Sequence, residues 1–152
     1  MDSISIGIED AASPDDRRAV AAAIAAFHAE TVAYEASRFT VAARTAAGER
    51  AGVVFALVYW DWLFVEAMYV AAAYRGAGLG SALLARAEQH AAALDCHSAW
   101  LDTFQAVDFY RRAGYEAFGH LDDYPAGQTR WFLRKALVAR PPGTPLGVPP
   151  QR

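Results

Sequence analysis

The segment Arg75-Gly76-Ala77-Gly78-Leu79-Gly80-Ser81 restricts the fold of this 152-residue chain more than any other stretch. Before it runs LFVEAMYV (63–70), an apolar block with strand character. Behind it runs LGSALLARAEQHAAAL (79–94), rich in Ala and Leu and helical in pattern. Glycines between a strand and a helix let the backbone curl so that several N–H groups point at one spot, and the helix N-terminus adds partial positive charge. Such a turn suits a phosphate or pyrophosphate. It is not a P-loop, because no Gly-Lys stands at the required place. The dinucleotide fingerprint GxGxxG fails too: Gly76 and Gly78 fit, but position 81 is Ser. The pattern Arg/Gln-x-x-Gly-x-Gly/Ala fits in full, with Arg75, Gly78 and Gly80.

Around this turn the chain reads as a mixed α/β domain. Ile4, Ile6 and Ile8 alternate with small residues and predict a short first strand. Ser13-Pro14-Asp15-Asp16 is a helix start, with Ser as cap, Pro in the first turn and acids at the positive end of the dipole. The helical stretch is expected to run to about Arg38, with a break near His28. Phe39, Val41 and Ala43 alternate, and a turn at 47–49 leads into Val53–Tyr59, predicting an antiparallel hairpin. A second turn at Trp60-Asp61-Trp62 leads into the strand Leu63–Val70. After the long helix come a strand at Ser98–Thr103, a short helix at Ala106–Ala113 stopped by Gly114, and strands at Tyr115–His120 and Arg130–Leu137. The expected order is β-α-β-β-β-α-β-α-β-β, a mostly antiparallel central sheet flanked by helices. Residues 1–138 read as one domain. Residues 139–152, with PPGTPLGVPP at 141–150, read as an extended tail.

Three motifs in order resemble one family, the GCN5-related N-acetyltransferases, and a bacterial small-molecule-type subgroup within it. These are the strand VEAMYV (65–70), the turn from Arg75 to Gly80, and FYRRAGY (109–115), similar to the family's helix motif FYxxxGF/Y. The segment from Leu101 to Lys135 is similar to the subgroup, although the chain is two residues shorter between Asp102 and Gln105. The resemblance implies the acyl-CoA N-acyltransferase fold and transfer of acetyl from acetyl-CoA to a primary amine, expected by direct attack in a ternary complex. It also implies cofactor contacts from the main chain of Met68, Tyr69 and Val70 and from Arg75, Gly76, Ala77, Gly78, Leu79, Gly80 and Ser81. Thr103 stands where many members carry Asn, so a cofactor contact is expected there too. A non-catalytic acyl-CoA-binding sensor or scaffold is the alternative reading.

The chemistry asks for a base and an acid. An alkylammonium is almost fully charged at neutral pH and must lose a proton before it can attack. Strand alternation puts Phe64, Glu66 and Met68 on one face. A carboxyl among apolar neighbours has a raised pKa if half buried, which makes Glu66 the candidate base. Its alternative roles are to bind the substrate's cation or to pair with an arginine. Tyr110 is the candidate acid, since a phenol has a pKa close to that of a thiol and can protonate the leaving sulfur. An acceptor pocket is expected from Tyr34, Trp60, Trp62 and His120, aromatic and acidic surroundings that suit a cationic amine.

Composition narrows the field. A net charge of −3 and a pI near 5.7 disfavour nucleic-acid binding, which needs a basic face. Cys96 is the only cysteine, and His28, His90, His97 and His120 have no metal-ligand spacing, so no metal is expected. Apolar runs reach only about ten residues, against about 20 for a spanning helix, and the N-terminus lacks a basic region ahead of an apolar block. A reducing, cytoplasmic setting without membrane association is the expectation. The partners expected are a small-molecule or peptide amine and, from the aromatic C-terminal hairpin, a second copy in a homodimer.

Overall fold

The computed structural model describes residues 4–33 and 36–137. The predicted tail at 139–152 and Tyr34 lie outside the described residues. The chain divides into two compact units, Met1–Tyr34 and Glu35–Arg152.

Among its described residues the first unit carries one helix, α1 (Pro14–Ala29). Ser13 caps it as expected: its hydroxyl accepts from Asp16 N at 3.1 Å, and the Asp16 carboxylate accepts from Ser13 N at 3.3 Å. Asp15 pairs with Arg18 one turn on. The helix ends at Ala29, earlier than the predicted run to Arg38, which belongs to the first strand of the second unit. The strand predicted at Ile4–Ile8 does not form. These residues are irregular, and the three isoleucines are more than nine-tenths exposed. Alternation describes a strand only where another strand bonds it and a surface takes its apolar side.

The second unit is a six-stranded mixed sheet: β1 (Ala36–Arg44), β2 (Arg50–Tyr59), β3 (Trp62–Val70), β4 (Ser98–Thr103), β5 (Glu116–Asp122) and β6 (Thr129–Ala136), in the order β1-β2-β3-β4-β6-β5. All neighbours are antiparallel except β3 and β4. That parallel step requires a crossover, which is α2 (Leu79–Ala93). The short helix α3 (Val107–Arg112) links β4 to β5 and ends at Gly114, whose φ of 94° is the left-handed stop expected of a glycine there.

Both α2 and α3 lie on one face of the sheet. Leu83, Leu84, Ala87 and Ala91 of α2 pack with Val54, Ala56, Leu63, Val65, Leu101 and Leu133 of the strands, and Tyr110 and Tyr115 complete the core. The helix sits very close to β2, since a Cβ added at Gly52 would come within 2.7 Å of Leu83 Cδ1.

Two irregularities in β3 open a cleft in the sheet. Phe55 pairs with Ala67 while Ala56 pairs with Val65, so Glu66 is an extra residue, a β-bulge. The parallel ladder to β4 also stops early, covering only Trp62–Ser98, Leu63–Ala99 and Phe64–Trp100. β4 meanwhile stays bonded to β6 through Thr103. Beyond Phe64 and Trp100 the two strands part, and a V opens between Val65–Val70 and Leu101–Thr103.

Candidate active site

The bulge changes which way the side chains of β3 point. Leu63 and Val65 face the core before it, and Met68 and Val70 pack against the core after it. The expected grouping of Phe64, Glu66 and Met68 on one face is therefore corrected, because one extra residue flips the alternation. Glu66 turns to the face opposite α2. Its surroundings are not the apolar ones anticipated: Oε1 accepts from Arg38 Nη2 at 3.4 Å, and the side chain is 28% exposed.

The V exposes main chain. Ala71 N donates to Ala51 O at 2.9 Å. Counting back by the antiparallel alternation, Tyr69 bonds toward β2, whereas the N–H and C=O of Met68 and Val70 face the open side. One of these groups is already engaged, as Arg75 Nε donates to Val70 O at 2.8 Å. The Arg75 guanidinium lies 5.8 Å from the centre of the exposed Tyr69 ring. Through these contacts Arg75 ties the glycine turn to the edge of β3.

The turn closes the end of the V. A 3₁₀ turn at Ala72–Tyr74 leads into it, and Gly76 and Gly78 have φ of 80° and 81°. That left-handed conformation strains any side chain but costs glycine nothing. Gly78 caps α2 without a side-chain hydrogen bond, and no acidic residue stands in the first helical turn. The amides of residues 76–81 therefore have no acceptor among the described residues, and a Cβ added at Gly76 or Gly78 would meet nothing within 4 Å. Converging free donors, open space and a helix N-terminus fit the diphosphate of a coenzyme A thioester. Ala77, Leu79, Gly80 and Ser81 belong to this cradle through their main chain, and Ser81 is exposed on the first turn of α2.

Tyr110 approaches from α3. A Cβ added at Gly80 would lie 3.4 Å from the Phe109 ring, so the first turn of α2 rests on α3. Tyr110 is 7% exposed and stands edge-on to Phe109 (5.0 Å between centroids) and Tyr115 (5.8 Å). Burial pushes its phenol up from the ordinary value of 10.0. Thr103 turns inward on its own loop: its hydroxyl accepts from Gln105 N (3.4 Å) and Ala106 N (3.2 Å), closing the shortened segment ahead of α3. Cys96 is fully buried, and burial, followed by Asp61 and Asp95, raises its thiol to about 11. That environment suits an inert thiol.

Of the expected acceptor residues, the described ones, Trp60, Trp62 and His120, do not converge on the V. Trp60 and Trp62 belong to the hairpin turn at the far end of β3, where Trp62 stands edge-on to His97 at 5.4 Å. Six residues of strand, about 20 Å, separate Trp62 from Met68. His120 is level with Trp131 and Thr103 across the sheet, but it lies on the helix-bearing face: it contacts Trp131 at 5.0 Å, which itself lies under Arg111 of α3. Glu66 faces the other way. Sequence reasoning missed Asp102 and Arg130, which form a partly buried pair at 2.5 Å. Both are ordinary strand residues, and only the register brings them to the mouth of the V.

Known proteins carry the same architecture. The model of the Acetyltransferase (GNAT) family matches residues 8–115. A blasticidin-S acetyltransferase from Streptomyces morookaense is 43% identical over 113 residues, covering 70% of this chain and 83% of the relative. An assigned acetyltransferase from Agrobacterium tumefaciens superposes with a TM-score of 0.81 at 25% identity, covering 88% of this chain and 99% of that one. An aminoglycoside 6'-N-acetyltransferase complexed with coenzyme A shares the fold, with a TM-score of 0.63 at 19% identity over 68% of this chain and 75% of that one.

Proposed function

This chain belongs to the GNAT acetyltransferase family, and from that premise we propose that it moves the acetyl group of acetyl-CoA to a primary amine of a small molecule by direct attack in a ternary complex. The observation that carries the reading is the row of unbonded amides from Gly76 to Ser81, adjoining the open main chain of β3. Relatives named for blasticidin S and for aminoglycosides support a small-molecule amine as acceptor.

Acetyl-CoA, when bound, supplies an acyl carbon activated by its thioester. The protein's own groups do the rest. The amides of the glycine turn hold the diphosphate, and the outward groups of Met68 and the N–H of Val70 hydrogen-bond the pantetheine arm laid in the V. One such N–H polarises the thioester oxygen as charge develops there. Glu66, at the bulge, accepts the proton of the acceptor's ammonium and so leaves a neutral nitrogen. The nitrogen lone pair forms the C–N bond as the C–S bond breaks. Tyr110, held protonated by its burial, gives the departing sulfur its proton; the new amide nitrogen sheds its surplus proton to solvent, from which the phenolate is reprotonated, and Glu66 likewise releases its proton to solvent. Fixing both reactants in one cleft removes the entropy of their encounter. The free cysteine is buried and raised, which leaves no activated thiolate to carry an acetyl group.

The single buried thiol also fits a cytoplasmic setting. Exposed Phe118, Leu121 and Tyr124 on the C-terminal hairpin support a homodimer, which sedimentation of the purified chain resolves. Following thiol release while varying acetyl-CoA and a panel of primary amines tests the mechanism. Direct attack gives intersecting double-reciprocal lines, whereas parallel lines would establish a covalent acetyl-enzyme instead.

A further inference from the structure

The face of the sheet turned away from α2 and α3 carries side chains that the acetyl transfer itself leaves unused. On the last rung joining β3 to β4, Phe64 lies beside Trp100, and their rings stack at 4.2 Å and 16°. One step further the strands diverge. Glu66 stands on one arm of the V and Asp102 on the other. Asp102 faces the same side, because its neighbour Leu101 points into the core.

Asp102 is held more firmly than Glu66. Its Oδ1 accepts from Arg130 Nη1 at 2.5 Å, and both side chains are only about a quarter exposed. The Arg130 guanidinium is covered by the Tyr124 ring at 4.3 Å and lies 5.6 Å from the Phe104 ring, so its faces are taken by aromatics and its edge by Asp102. Asp102 Oδ2 has no hydrogen-bond partner among the described residues. The Arg38–Glu66 contact is looser, 3.4 Å with an arginine that is 68% exposed, and an incoming cation displaces such a pair at little cost.

We infer that Asp102, oriented by Arg130, selects an acceptor bearing a second cationic group, amino or guanidino, which it binds through Oδ2 while the reacting amine meets Glu66. The inference rests on the proposed role of Glu66 and adds the substrate class. The strands are about 4.8 Å apart at the last rung and diverge beyond it, so the second nitrogen must reach at least about 5 Å from the first, the span of a diamine or an amino-guanidine. The Phe64–Trp100 pair closes the V one step behind the two carboxylates, and its ring electrons favour a cation there and give nothing to an anion.

The test compares three acceptors of equal chain length, 1,4-diaminobutane, n-butylamine and 4-aminobutanoate, with acetyl-CoA as donor. The diamine is expected to have the highest kcat/KM and the aminobutanoate the lowest. In Asp102→Asn, kcat/KM for the diamine should fall about 10- to 100-fold more than for butylamine, the size of one charge-assisted hydrogen bond, with the change in KM. Because Asp102→Asn leaves Arg130 partly buried without its carboxylate, the double variant Asp102→Asn/Arg130→Gln is measured beside it. Acetyl-CoA affinity by calorimetry reports that both variants are folded. Equal losses on diamine and butylamine in both variants, or a wild-type enzyme indifferent to the second nitrogen, overturn the inference while leaving acetyl transfer intact. A wild-type chain with no saturable acetyl-CoA binding overturns the transfer reaction and this inference together.

Discussion

Glu66 owes its position to one surplus residue in the backbone rather than to its own chemistry. Because β3 carries a residue that β2 does not match, the carboxylate leaves the ladder and stands where the strands begin to part. If it takes the acceptor's proton, Glu66→Gln should lower kcat at neutral pH by about 10²- to 10⁴-fold. The deficit should shrink as pH rises toward the pKa of the amine, because the acceptor then sheds its proton unaided. A pH–rate profile measures this, and a deficit that stays constant across the range removes the role. The chemical identity of Glu66 was legible in the chain, but the bulge was not. Simple alternation grouped Glu66 with Met68, since no residue type announces a surplus position in a strand of Phe, Val, Ala and Met. Gly78 was legible for the opposite reason, since a glycine before a helix signals a left-handed turn through its missing side chain.

Elements with a repeating apolar pattern were legible nearly to the residue. The stripe of α2 is continuous from Leu83 to Ala91, and glycines mark its start, so Leu79–Ala93 was expected within one residue. The alternation at Ile4–Ile8 misled because it is local, whereas a strand is a property of two segments. The failure of Trp60 and Trp62 to join the site has the same origin: adjacency to β3 in sequence says nothing about which end of β3 opens. Contact between α2 and β2 depends on Gly52, over which the Leu83 side chain and the Tyr69 carbonyl leave no room for a methyl group. Gly52→Ala is expected to destabilise the fold by about 1–3 kcal/mol through overpacking. Urea unfolding should show a lower midpoint at unchanged slope, and an unchanged midpoint would mean that the helix lifts away freely.

At the scale of the whole molecule, three buried weak acids share one consequence. Cys96, Tyr110 and Tyr115 each have a raised pKa, chiefly from burial, with Glu88 adding to the effect at Tyr115. The folded state therefore prefers all three protonated. Their contribution is intact below the unfolded values of 9.0 for the thiol and 10.0 for the phenols. It is lost as pH rises through the folded values, which for Cys96 is about 11. In the window above pH 9 the unfolded chain sheds these protons while the folded chain keeps them, so the balance tips toward unfolding. Thermal melts from pH 8 to 11 should show a Tm that is flat at first and then falls from about pH 9 upward. Cys96→Ala should soften the earliest part of that fall, and a Tm rising with pH would contradict the arrangement.

On the proposed reading, the parting of β3 from β4 gives the donor and the acceptor different kinds of host. There, peptide groups would grip the donor, and every residue type but proline supplies their N–H, so mutation can rewrite the side chains along the β3 edge without erasing the handle. The acceptor meets side chains alone, each open to replacement. Descendants of such a scaffold are free to change what they modify while keeping what they modify it with.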